Sequence, residues 1–148
     1  RQGWLACGGR VGSSNAQWPE DADVIIDGLL GTGLSCAPRA PYTTLIDAMS
    51  AASAPVVSLD IPSGLNAQTG QAAGRAVHAN HTISFIALKP GLLTGQSRDY
   101  VGSLHYDALG LIAGLEAIRH CCSVWMPRRL ASGCLRVVLV PTKASMGG

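Results

Sequence analysis

"APVVSLDIPSGLN", residues 54–66, is the stretch whose reading decides the fold. Val56 to Leu59 is a short run rich in β-branched and apolar residues, which reads as a buried strand. It stops on a carboxylate, Asp60. Pro62 cannot donate a ladder hydrogen bond, and Ser63-Gly64 supply a turn. A carboxylate is costly inside a core, but at the end of a strand it can meet a ligand.

Upstream, "DVIIDGLLGTGL" (residues 23–34) repeats the arrangement. Asp23 to Leu30 reads as a second buried strand, β-branched at its centre and closed by Gly31. Between the two, Pro41 suits the first turn of a helix. Tyr42, Leu45, Ile46 and Met49 then recur at i, i+3, i+4 and i+7, the apolar stripe of an amphipathic helix. Strand, loop, helix and strand make a parallel crossover unit. Downstream, Thr82–Leu88 and Val101–Tyr106 are further apolar runs, separated by the loop Pro90–Ser97. The class is α/β, a Rossmann-like αβα sandwich with a mainly parallel sheet.

Open sheets of this kind take ligands beyond the carboxyl ends of their strands. Asp27 through Gly33, Asp60 through Gly64, and Lys89-Pro90-Gly91 all lie at such ends, so Asp27 and Asp60 share a rim. Together Asp27, Asp60 and Ser63, two carboxylates and a hydroxyl, offer hard oxygen ligands for a cation or a base for proton transfer. In "GLLGTGL" (residues 28–34) the glycines bare backbone N–H groups that can approach a phosphate or ribose. The stretch is neither G-x-G-x-x-G nor a P-loop, which weakens the reading as a nicotinamide dehydrogenase. Lys89 is either a partner for an anion or a lysine laid along the surface. His78, His81, His105 and His120 show no ligand spacing of the HxxxH kind. No serine sits in a GxSxG elbow.

Composition fits this class and excludes others. Of 148 residues, 47% are hydrophobic and 14% charged, enough apolar material for a single core and too little charge for a disordered chain. A net charge of +2 gives no reason to expect nucleic acid as a partner. No apolar run approaches a membrane span. Five cysteines without regular spacing make neither a disulfide framework nor a zinc pattern, so reduced thiols in the cytoplasm are expected. The charge is uneven: residues 1–111 carry six Lys/Arg against eight acids, whereas 112–148 carry five against Glu116 alone. A basic, solvated end is the reading of that tail.

Taken in order, "DVIIDGLLGTGL", "APRAPYTTLIDAM", "APVVSLDIPSGLNAQTG" and "ANHTISFIALKPGLLTGQSRDYVGSLHYDALGL" resemble the NAD(P)H-hydrate epimerase family, the YjeF-type N-terminal domain, from about Trp18 to Leu111. The resemblance implies epimerisation of the R and S forms of hydrated NADH or NADPH, feeding an ADP-dependent dehydratase that is often fused to the domain. It also implies a homodimer and a bound potassium ion. Carried over by motif, Asp27 and Ser63 correspond to potassium ligands. Gly31, Thr32, Gly33, Leu34, Ser35, Cys36 and Ala37 correspond to the substrate-binding loop, and Asp60 to the substrate-contacting acid and the best candidate for proton transfer. Cys36 stands where many members have glycine, and the family's upstream GNNGGDG loop is not in this sequence.

The domain expectation is that residues 1–111 form the C-terminal part of such a domain in a longer protein. Residues 112–148 are then a linker, a divergent tail or a stretch translated in a shifted frame. By themselves residues 1–148 are expected to leave one flank of the central strand pair uncovered, to be poorly soluble or partly unfolded, and to be inactive. The reading from another class is a non-catalytic nucleotide-binding or protein-interaction module on the same fold. Asp27, Asp60 and Ser63 together favour the enzyme.

Overall fold

The computed structural model describes residues 5–8, 22–110 and 137–140. Among the described residues five strands form one sheet: β1 (Val24–Asp27), β2 (Val56–Leu59), β3 (His81–Phe85), β4 (Ser103–Asp107) and β5 (Val137–Val140). Their spatial order is β4-β3-β2-β1-β5, and every neighbouring pair is parallel. Helix α1 (Tyr42–Ala51) joins β1 to β2. A single 3-10 turn (Pro90–Leu92) and the short α2 (Ser97–Tyr100) lie between β3 and β4. This is the α/β, Rossmann-like class that the alternation of apolar runs and helical spacing predicts.

The apolar stripe of α1 makes the first core. Leu45, Ile46 and Met49 pack with Ile25, Leu29, Val56 and Val77. A second cluster, Ile61, Leu65, Ala67, Leu92 and Val101, gathers the loops beyond β2 and β3. Polar side chains buried beside these clusters are all satisfied among the described residues. Thr82, for instance, donates to the Val101 carbonyl at 2.8 Å, and Ser84 to the Ala87 carbonyl at 3.1 Å. Among the described residues no helix is long and apolar enough to cross a membrane.

Three strands are shorter than their apolar runs, for local reasons. After Asp27 the chain leaves the ladder because the Leu29 and Leu30 amides donate to side chains, Asp27 Oδ1 (3.2 Å) and Ser63 Oγ (2.8 Å). β3 stops at Phe85 because Ile86 turns to a φ of 65°. β4 starts at Ser103, after Gly102 at a φ of 61°. The expectation of an uncovered flank is corrected: β5 lies beside β1 in register, with Val24 opposite Val137 and Asp27 opposite Val140. That strand falls within 112–148, and pairing hides the N–H and C=O groups that an edge would expose.

Gly64 is where the DIPSG turn needs glycine. Its φ is 99°, and a Cβ there would lie 2.2 Å from the Arg75 carbonyl oxygen. Gly64→Ala should therefore cost roughly 2–4 kcal/mol, from left-handed strain plus overpacking against backbone. Gly31→Ala, with nothing within 4 Å of the added carbon, should cost under about 0.5 kcal/mol. Urea unfolding of both variants in the full-length product of the encoding gene checks this. Equal midpoints would show that the turn is not built as described.

Candidate functional site

The carboxyl ends of β1, β2 and β3 enclose an open cavity of about 510 Å³, lined by Gly28, Leu30, Gly31, Leu59, Asp60, Phe85, Ile86, Ala87 and Lys89. That volume falls in the range of small-molecule sites. Asp60 follows directly on β2 and takes a left-handed backbone, φ 72°. Its amide donates to the Ile83 carbonyl at 2.7 Å, which holds it beside β3. Its Oδ1 accepts from the Phe85 amide at 3.2 Å.

The same oxygen forms an ion pair with Lys89 Nζ. Lys89 is fixed further by the Phe85 carbonyl at 3.0 Å. Both side chains are mostly buried, 18% exposed for Lys89 and 29% for Asp60. Of the two readings open for Lys89, the anion partner is the one observed, and the anion is the protein's own carboxylate. Sequence reasoning could not identify that partner, because the two residues stand 29 apart and meet only through pairing of β2 with β3.

Two left-handed residues that are not glycine, Asp60 and Ile86, stand on this cavity. Each such backbone costs of order 1–3 kcal/mol and clusters at functional sites. For Asp60 the cost is at the low end, since Asp tolerates this region better than most residues.

Asp27 does not line the cavity. It is fully buried behind the rim, and four donors fill its carboxylate. Oδ1 accepts from the Leu29 amide (3.2 Å) and the Ser63 hydroxyl (2.6 Å). Oδ2 accepts from the Ser58 hydroxyl (2.7 Å) and the Ser63 amide (2.9 Å). Ser63 Oγ also lies 3.2 Å from the Leu30 carbonyl, so its one proton has two possible acceptors. Asp27 and Ser63, singled out as paired oxygen donors, are thus in direct contact. The chemistry of this donor set, a carboxylate, a hydroxyl and a neighbouring carbonyl, suits a hard cation.

The glycine loop divides. Gly31 lines the cavity, whereas Thr32 through Ala37 run on from it, exposed except for half-buried Leu34. Asn66 Nδ2 donates to the Leu34 carbonyl at 3.3 Å, tying this loop to the one after β2. Nothing within 4 Å crowds Gly31 or Gly33, so their backbone is open to a ligand. The Cys36 thiol is exposed.

The model of the family described as "YjeF-related protein N-terminus" matches residues 2–91. The bifunctional NAD(P)H-hydrate repair enzyme Nnr of Escherichia coli is 55% identical over 119 residues, covering 78% of this chain and 23% of that protein. The bifunctional NAD(P)H-hydrate repair enzyme of Leishmania braziliensis is 55% identical over 112 residues, 73% of this chain and 20% of the relative. With that of Leishmania infantum the identity is 48% over 141 residues, which covers 92% of this chain and 24% of the relative and so runs past Leu111. The chain spans about a fifth to a quarter of the length of the curated relatives it matches. The match over residues 2–91, with Asp27, Asp60 and the glycine loop inside it, places the chain in the family of YjeF-related protein N-termini.

Proposed function

We propose that this chain contributes the epimerase site of an NAD(P)H-hydrate repair enzyme, interconverting the R and S hydrates of NADH or NADPH. The observation that carries the reading is Asp60, left-handed in its backbone and ion-paired with Lys89 through its carboxylate, on the wall of a cavity of about 510 Å³ at the strand ends. Inverting a carbon that bears both a hydroxyl and the ring nitrogen requires a bond there to break and re-form. The hydroxyl gives its proton to a base and becomes a carbonyl as the C–N pair moves onto nitrogen, and closure on the other face returns the proton. A positioned carboxylate does this, and general acid–base groups contribute about 10²–10⁴-fold. In this role Asp60 passes the proton while the Lys89 ammonium fixes its orientation. Gly31 and the loop through Ala37 receive the cofactor, their bare amides facing its phosphates or ribose. The proposed partners are those of the repair enzymes: a fused ADP-dependent dehydratase that consumes one epimer, and a second copy of the epimerase. The place of work is the cytoplasm.

The test is direct. Pure R hydrate is incubated with the full-length product of the encoding gene, and the two epimers are followed by chiral chromatography. Approach to the R/S equilibrium well above the buffer rate is expected. Epimerisation at the buffer rate would remove the reading.

A potassium ion belongs to the same proposal, with Asp27 and Ser63 as its ligands. Ser63 can turn its proton to the Leu30 carbonyl, leaving its oxygen and Asp27 Oδ1 to face a cation. Bound there, the ion supplies fixed positive charge beneath the rim. Potassium should then raise the melting temperature more than lithium at equal ionic strength, since it binds the native state only. Ser63→Ala should lose most of that difference. If the variant responds to potassium as the parent does, the ion is held elsewhere.

A further inference from the structure

We propose that His81 and His105 form a binding site for a first-row transition-metal ion of the Ni²⁺, Cu²⁺ or Zn²⁺ class, separate from the strand-end cavity. The two residues stand on adjacent parallel strands, β3 and the edge strand β4. His81 pairs with Ser103 and Ile83 with His105, so the histidines are diagonal neighbours on one face of the sheet. Such neighbours are within reach of long side chains. Here the reach is completed: His81 Nδ1 lies 3.1 Å from His105 Nε2, with ring centroids 5.3 Å apart.

That separation is the one a metal needs between two neighbouring ligands. With metal–nitrogen bonds of about 2.0–2.1 Å, nitrogens this far apart subtend roughly 95–100° at the ion, between the octahedral and tetrahedral values. The backbone is already fixed by the β3–β4 ladder, so binding orders few additional groups. His81 is exposed and His105 half-buried, which leaves water free to fill the remaining positions. Two imidazoles select the borderline metals over Mg²⁺ and Ca²⁺, which prefer oxygen.

The proton balance is simple. A neutral pair holds one N–H between the rings, directed from one nitrogen to the other. On metal binding that proton moves, through solvent, to the outer nitrogen of its own ring. Both facing lone pairs are then free, and no proton is lost from the pair.

A search of the sequence for ligand spacing misses this pair, since its members are 24 residues apart. No group of three or more His, Cys, Asp or Glu that could hold a metal occurs among the described residues. The site is accordingly a two-ligand one, completed by water, with Asp107 the nearest acid along β4 on the same face. Its Oδ1 caps the Leu109 amide at 2.7 Å.

Isothermal titration of tag-free full-length product with NiCl₂, and separately with ZnCl₂, tests the proposal without reference to catalysis. One ion should bind per chain at this site, and His81→Ala or His105→Ala should each weaken it at least tenfold. Both positions have solvent on one side, so both variants should fold, as circular dichroism will show. His81→Gln, which keeps a polar group on the strand, guards against a packing defect and should also lose the ion. His78→Ala is the matched control and should bind as the parent does. Titrations that are identical in the parent and all three pair variants would overturn the proposal, as would loss confined to His78→Ala.

Discussion

Asp60→Asn should leave the fold intact and slow epimerisation by roughly 10²-fold or more. Asn is the informative substitution because it tolerates the left-handed region as Asp does. It can also still accept the Phe85 amide through its carbonyl oxygen, as Asp60 Oδ1 does at 3.2 Å. What it cannot do is take and return a proton near neutrality. Asp60→Ala would add backbone strain of about 1–2 kcal/mol and confuse stability with chemistry. The companion variant is Lys89→Met, which keeps the aliphatic stem and removes the charge that holds the carboxylate. It should slow the reaction by roughly ten- to a hundredfold, with Lys89→Arg restoring part of the rate. Chiral chromatography gives the rates and thermal melting the fold. A parental rate for Asp60→Asn would take this residue out of the chemistry. A parental rate for Lys89→Met alone would leave the base in place and deny it its positioning partner.

How much of this was legible beforehand depended on whether the signal was local. The strands carry their own apolar runs, and α1 carries its stripe, so the parallel α/β class follows from residues 23 to 106. The strand ends were less legible. Leu29 and Leu30 are as apolar as the residues before them, and only the distant Asp27–Ser63 knot draws their amides off the ladder. β5 was not legible at all. Val137 to Val140 is four residues long, too short for its period to tell strand from helix, and its partner β1 is more than a hundred residues away.

The same distinction holds for the site. Asp27 and Asp60 stand out because an acid at the end of an apolar run is locally anomalous, and Ser63 because it lies in the turn that follows Asp60. Their separate situations were not visible. Asp60 is on the cavity wall, whereas Asp27 is sealed behind it. Lys89 could not be decided from its neighbours, and the two histidines looked unrelated until β3 and β4 were laid side by side. Long-range pairing, not composition, assigns these partners.

The second large effect concerns stability. Asp27→Ala should lower the unfolding free energy by roughly 3–5 kcal/mol, the cost of leaving several buried donors without an acceptor, partly relieved by entering water. Four donors converge on this fully buried carboxylate, and two of them are backbone amides that cannot reorient. Asp27→Asn keeps the shape and should cost less, about 1–3 kcal/mol. Its amide NH₂ must replace one of the two oxygens. At the Oδ2 position it would face the Ser63 amide across 2.9 Å, a short donor–donor contact. At the Oδ1 position it would face the more distant Leu29 amide, and the Ser63 hydroxyl could accept while passing its own proton to the Leu30 carbonyl. The second orientation is favoured, so the expected order of stability is Asp, then Asn, then Ala. Urea unfolding of the full-length product, read as midpoints at constant m, ranks the three. An Ala variant within about 1 kcal/mol of the parent would mean that the donors find water at no cost. In that case the rim would not be built on this carboxylate.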